Sequence, residues 1–124
     1  MSINNRKFAI ISGGSSGLAE YSINLLRENG YIVFSLDISY KEIKEKDGLH
    51  EIPCDITNNN SLLEAKEYIS SIANHINLIA NFAGIVILGS LIESGLDDLN
   101  KIMNVNLIGT YKVNNIFFEL VKNC

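Results

Sequence analysis

Residues 12–19 read Ser12-Gly13-Gly14-Ser15-Ser16-Gly17-Leu18-Ala19 and follow directly on an apolar run. Glycines between a strand and a helix let backbone come close to a ligand. The free N–H groups at the helix start then attract an anion such as a pyrophosphate. Asp37 closes the next apolar run 20 residues after Gly17. At that separation a carboxylate can accept both hydroxyls of an adenosine ribose. A glycine-rich turn alone also serves where nothing binds. With a strand before it, a helix after it and Asp37 in place, the combination points to dinucleotide binding. The glycines at 13, 14 and 17 depart from G-x-G-x-x-G, and no Lys-Ser or Lys-Thr pair follows Gly17, which excludes a P-loop.

These residues need elements that alternate strand and helix. Residues 7–12 form a nearly continuous apolar run, as expected of a strand covered on both faces. The spacing predicts a helix over 16–29, with Leu18, Ser22, Leu25 and Leu26 inward and Asn29-Gly30 as its stop. A second strand spans 31–37, a short polar helix about 40–46, and a third strand 50–54. Pro53 lacks an N–H donor, which suits a sheet edge. Residues 58–74 read as a helix capped by Thr57 or one of Asn58 to Asn60, with Leu63, Tyr68, Ile69, Ile72 and Ala73 supplying its apolar spacing. A fourth strand lies within 77–82, a loop spans 83–95 and a last helix 96–122. The pattern predicts an α/β fold: a three-layer, doubly wound parallel sheet of the Rossmann type, incomplete, with about four strands in the order 3-2-1-4. No repeat or linker interrupts 1–124, so one domain is expected.

Ten Lys and Arg against 14 Asp and Glu leave a net charge of −4, which argues against nucleic-acid or anionic-membrane surfaces. Hydrophobic residues make up 47% and charged residues 19%, too apolar for a disordered chain. No apolar run approaches the roughly 18 residues of a membrane span, and none resembles a secretory signal. Cys54 and Cys124 make neither a disulfide framework nor a metal spacing, and His50 and His75 read as isolated and solvent-exposed. A cytoplasmic protein without metal chemistry is expected.

Four short motifs, in order and on these elements, give a family likeness. Ser12-Gly13-x-x-x-Gly17-x-Ala19 matches T-G-x-x-x-G-x-G, and Asp55 closes the third strand. Asn81-Phe82-Ala83-Gly84 matches N-N-A-G, and Val105-Asn106-Leu107-Ile108-Gly109 matches V-N-L-x-G. The chain resembles the N-terminal half of a short-chain dehydrogenase/reductase from about Lys7 onward. The resemblance implies that Gly13, Ser15, Ser16, Gly17 and Leu18 wrap the pyrophosphate and that Asp37 binds the adenosine ribose. Asp55 and Ile56 would lie against the adenine. Asn81, Ala83 and Gly84 would serve the central strand and the nicotinamide-side ribose. Asn106 would be the catalytic asparagine that holds a helix kink and a water. Each has a plainer reading: Asp55 as a cap for the turn into the Asn58 helix, Asn81 as a partner for buried backbone, Asn106 as an internal polar residue bonded to the sheet. Asp37 favours NAD over NADP, because a carboxylate repels a 2′-phosphate and neither Gly14 nor Ile38 is basic; Lys41 is the near cation.

The sequence also departs from the pattern. Ser12 stands for Thr, Ala19 for the last Gly and Phe82 for the second Asn. Tyr40 and Lys44 satisfy Tyr-x-x-x-Lys, but they follow the second strand at the adenosine end and so act as a decoy. The family's serine and Tyr-x-x-x-Lys follow the next strand and helix, so the chain alone is expected not to turn over an alcohol or carbonyl substrate. Residues 85–95 would wall its pocket. The last helix is apolar on more than one face (Leu96, Tyr111 and Phe118 among others) and predicts homo-oligomerisation through 96–122. A truncated homologue that binds a nucleotide or partner without catalysis is the alternative. A methyltransferase-like fold shares the glycine turn but not Asn81 to Gly84 or Val105 to Leu107.

Overall fold

The computed structural model describes residues 6–85 and 91–123. Strand β1 (Lys7–Ser12) leads through the glycine turn into α1 (Gly17–Glu28), then β2 (Tyr31–Asp37), β3 (Lys44–Lys46) and β4 (Leu49–Pro53). Helix α2 (Asn59–Ser70), β5 (Leu78–Asn81), α3 (Leu91–Met103), a π-helical segment (Asn104–Gly109) and α4 (Thr110–Lys122) complete it. The sheet order is β3-β4-β2-β1-β5. β1, β2, β4 and β5 run parallel, in the expected 3-2-1-4 order of the four longer strands.

The fifth strand corrects the expectation of a polar helix over 40–46. β3 pairs antiparallel with β4, from Lys44 opposite Glu51 to Lys46 opposite Leu49. Asp47 and Gly48 between them have φ of 52° and 84°. An Asp-Gly pair adopts two positive φ values readily, and those values make the tight turn of a two-residue hairpin. β4 is therefore not the sheet edge where Pro53 was placed. β3 nevertheless stops short of Pro53, and the neighbouring Cys54 N–H donates to Asp37 O at 3.1 Å, so the proline nitrogen faces the uncovered side.

Alternate residues of the strands face two cores. Phe8, Ile10, Phe34, Leu36 and Ile52 pack under α2 and α4, while Ala9, Ile11 and Val33 pack under α1. The buried residues of α1 are Ala19 and Ile23, with Leu26 packed alongside; the expected inward Leu18 and Leu25 are 67% and 44% exposed. The small Ala19 lets the helix sit close on the sheet. Asn58 caps α2 by accepting the Ser61 N–H at 3.0 Å. The helix ends at Ser70, short of 74, and buries Leu62, Ala65 and Ile69, whereas Leu63 points outward.

Both histidines are buried, contrary to expectation. His50 lies on Phe34, ring centroids 5.0 Å apart, and its Nδ1 is 2.7 Å from Tyr68 Oη. His75 meets the edge of Phe8 and bonds the Arg6 carbonyl through Nε2 at 2.8 Å. Strand residue His50 alternates into the core face, where burial holds its pKa below 6.5 despite Glu45 nearby. The helix expected over 96–122 begins at Leu91, is broken at Gly95 (φ 77°) and widens into the π-helical turn at Asn104.

Candidate functional site

The carboxyl ends of β1, β2, β4 and β5 converge on one cavity of about 400 Å³. Chain connections reverse at this end of a doubly wound sheet and leave a crevice for a ligand. Gly13 turns the chain out of β1 at φ 73°, and its N–H donates to Leu36 O at 2.8 Å. A Cβ at Gly13 would overlap the Ala83 backbone, and one at Gly14 would overlap Ser35 Oγ. These two glycines are required by close packing within the protein. Gly17 is different, because a Cβ there would meet nothing within 4 Å. Ser16 caps α1 by accepting the Ala19 N–H at 3.2 Å, which leaves the helix start beside the cavity.

Asp37 is bonded closely to this turn. Its Oδ2 accepts the Ser15 N–H at 3.0 Å and the Ser15 hydroxyl at 2.7 Å, and its Oδ1 accepts the Ser39 N–H at 2.8 Å. Partial burial would raise the pKa, but the hydrogen bonds from Ser39 and Ser15 outweigh it and hold the carboxyl below 3.8. Asp55 forms a local turn, in which Oδ1 accepts the Thr57 N–H at 2.9 Å and its hydroxyl at 2.6 Å. The helix cap is Asn58, and Asp55 caps the turn that leads into it. Ser12 Oγ donates to Asn81 Oδ1 at 3.0 Å, and Asn81 Nδ2 donates to Asn114 Oδ1 at 3.0 Å, which ties β1, β5 and α4 together.

Asn106 sits in the middle of the π-helical segment. Its Oδ1 accepts the Ile85 N–H at 2.7 Å and its Nδ2 donates to the Ile85 carbonyl at 2.9 Å. One side-chain amide thus satisfies both backbone groups of a loop residue, and the partner is the loop after β5 rather than the sheet. A π-helical turn inserts an extra residue into the helical register and is often found at functional sites.

Of the residues singled out from the sequence, Gly13, Ser15, Ser16, Asp37, Asp55, Ile56, Ala83 and Gly84 line the cavity together. Gly17, Leu18, Asn81 and Asn106 are not among its lining residues. Leu18 is exposed, and Asn81 and Asn106 act on backbone and side chains behind the wall. Ile85, the first residue of the expected substrate wall, also lines the cavity, whereas sequence reasoning missed Leu36, Ile38, Cys54, Phe82 and Val105, along with Thr57 and Lys101. Most flank a motif residue in sequence, and Lys101 lies one helical turn before Val105. Burial pushes the Cys54 thiol pKa above 9.0. Within the expected substrate wall, residues 86–90 lie outside the described residues.

Neither Tyr40 nor Lys44 of the Tyr-x-x-x-Lys match lines the cavity. The Tyr40 hydroxyl is 2.8 Å from Ser35 Oγ and burial pushes its pKa above 10.0, while Lys44 points to solvent 3.9 Å from Glu42. A proton donor needs the opposite shift.

A family model described as short chain dehydrogenase matches residues 7–123. The chain belongs to that family. It is 29% identical over 112 residues to a (21S)-21-acetoxyl-apo-melianone synthase of Melia azedarach, covering 85% of this chain and 41% of that protein. It is 30% identical over 100 residues to a 3-ketodihydrosphingosine reductase of Bacteroides thetaiotaomicron, covering 81% and 36%. The fold superposes with a TM-score of 0.83 on a Brucella melitensis 3-ketoacyl-(acyl-carrier-protein) reductase solved with NADH, at 22% identity over 98% of this chain and 52% of that one. The short-chain dehydrogenase chain thus spans about two fifths of the length of the curated relatives it matches.

Proposed function

We propose that this chain binds a nicotinamide adenine dinucleotide, NAD in preference to NADP, as the cofactor half of an oxidoreductase acting on an alcohol or carbonyl compound. The observation that carries this reading is Asp37. It stands at the carboxyl end of β2 under the glycine turn, ionised, beside the 400 Å³ cavity, and among the described residues no ion pair reaches it. The residues fit the group: Gly13 keeps the turn close to Ala83, and Gly17 stays open where no protein atom requires a glycine.

Gly13, Ser15, Ser16, Gly17 and Leu18 would receive the pyrophosphate through backbone N–H groups at the start of α1. Asp37 would accept the ribose hydroxyls by exchanging its bond from the Ser15 hydroxyl for one from the sugar. Asp55 and Ile56 would line the adenine, and Asn81, Ala83 and Gly84 the nicotinamide-side ribose. The bound dinucleotide would supply a hydride acceptor or donor. Asn106 would hold the loop at Ile85 and the widened helix in register for a proton relay. Hydride transfer also needs a proton donor near the developing alkoxide, and Tyr40 is unsuited to that, so the chain alone is expected to bind without turnover. The apolar outer face of α3 to α4, with Leu96 at 69% and Tyr111 at 65% exposure, is read as a homo-oligomer contact. A free, buried Cys54 suits a reducing, cytoplasmic setting, and no described helix is long and apolar enough to cross a membrane.

Calorimetric titration with NAD+ and NADP+ tests this. NAD+ should bind tighter by about tenfold or more, and Asp37→Ala should remove the preference, because like charges brought together cost several kcal/mol. Equal affinity for the two, or no binding of NAD+, would overturn the reading.

A further inference from the structure

The cavity wall formed by residues 55–57 is held from behind by a residue that does not line it. Within this turn, polar groups bond to one another or to α2: Asp55 O accepts the Asn58 N–H at 3.0 Å, and the Asp55 N–H donates to Ser61 Oγ at 2.9 Å. The Thr57 carbonyl instead accepts Lys112 Nζ, 55 residues away on α4, at 3.1 Å. One turn earlier in the chain, Gly109 is buried so tightly that an added Cβ would lie 2.7 Å from Ile56 Cδ1. Gly109 and Lys112 stand three residues apart and so share a helix face. That face grips the turn twice, by close packing on Ile56 and by a charged donor on Thr57.

We propose that Lys112 is a positioning residue for adenine recognition, its ammonium on the Thr57 carbonyl setting the height of the Asp55 to Thr57 wall against a bound base. The inference rests on the nucleotide-binding reading above. A lysine ammonium is strongly hydrated, and drawing it half into the protein onto a carbonyl gives a bond stronger than a neutral pair would make. Asp55 is itself braced to Thr57, so a shift of Thr57 is passed to the Asp55 carboxylate. A carboxylate can only accept, and so distinguishes the donating 6-amino group of adenine from the accepting 6-oxo group of hypoxanthine. Lys112 would then govern base discrimination without touching the base.

The test compares adenosine and inosine 5′-monophosphates by titration calorimetry against the purified protein, with thermal midpoints measured alongside. For Lys112→Met the affinity for the adenosine nucleotide should fall about fivefold while that for the inosine nucleotide changes by less than about twofold. Lys112→Arg, which restores a charged donor, should recover the preference. If Lys112→Met fails to fold, Lys112→Gln carries the same comparison. An unchanged ratio between the two nucleotides in the variant would overturn the proposal, as would an equal loss of both with a lowered midpoint, the mark of a purely structural contact. If the unaltered protein binds neither nucleotide, the nucleotide-binding reading falls as well; if it binds and the variant keeps its ratio, only the role of Lys112 falls.

Discussion

The two ends of the cavity wall are built on opposite principles. At the glycine turn, polar groups answer one another at short range: Asp37 is bonded to Ser15 and Ser39, and Gly13 to Leu36. Along α4 the inner side is core, with Val113, Phe117 and Leu120 buried, while the outer side from the π-helical segment onward is bare apolar surface, with Leu107 at 58% and Phe118 at 59% exposure. β5, which this helix covers, is the last strand of the sheet and only partly buried. The first region is complete in itself. The second leaves its outer apolar face exposed.

Adjacent phenylalanines on α4 give the largest contrast. Phe117 is fully buried, so Phe117→Ala should cost about 3–5 kcal/mol of unfolding free energy by urea denaturation. Phe118→Ala should stay within about 0.5 kcal/mol and instead weaken self-association in sedimentation. Similar losses from the two would erase the distinction between the faces. A middle-sized effect is expected at the join of the two regions. Asn106→Ala removes both bonds to Ile85 and should cost about 1–3 kcal/mol, since each bond contributes roughly 0.5–1.5 kcal/mol. Faster amide exchange around residue 85 would localise the loss, and unchanged exchange there would speak against the clamp. The smallest effect sharpens the polar side. The folded-state pKa of Asp37 lies below 3.8, so its contribution is full above that pH and is lost as pH falls through the folded value. The stability gap between the unaltered protein and Asp37→Asn should therefore close as pH drops below 3.8; a gap independent of pH would contradict it.

Much of this architecture was legible because it is local. The apolar run of β1, the Asn29-Gly30 stop and a cap among Thr57 to Asn60, which the structure places at Asn58, are decided by neighbours in the chain. β3 was missed because Lys44, Glu45 and Lys46 are all exposed and carry no apolar alternation; the readable signal was Asp47-Gly48 behind them. The inner face of α1 was assigned to Leu18, Ser22, Leu25 and Leu26, yet of these only Leu26 packs on the core beside the buried Ala19 and Ile23, because fit against Ala9, Ile11 and Val33 counts for more than residue size. The histidines were misplaced for a related reason: ring contacts and hydrogen bonds compensate for their burial, and except for Asn74 beside His75 those partners are distant in sequence.

The sequence by itself determined the four longer strands and most of the helices between them, and its four motifs carried the family likeness and, with Asp37, half of the residues gathered at the carboxyl ends of the strands. The elements follow from periodicity, turn chemistry and capping, which act over a few residues; the family likeness rests on the motifs. Tertiary structure alone decided that Ser15 bonds Asp37, that Asn106 closes on Ile85 rather than on the sheet, and that Lys112 reaches Thr57. Such partners are chosen by how packed surfaces bring distant segments within bonding distance, and a buried polar group bonds to whatever donor or acceptor the packing places beside it.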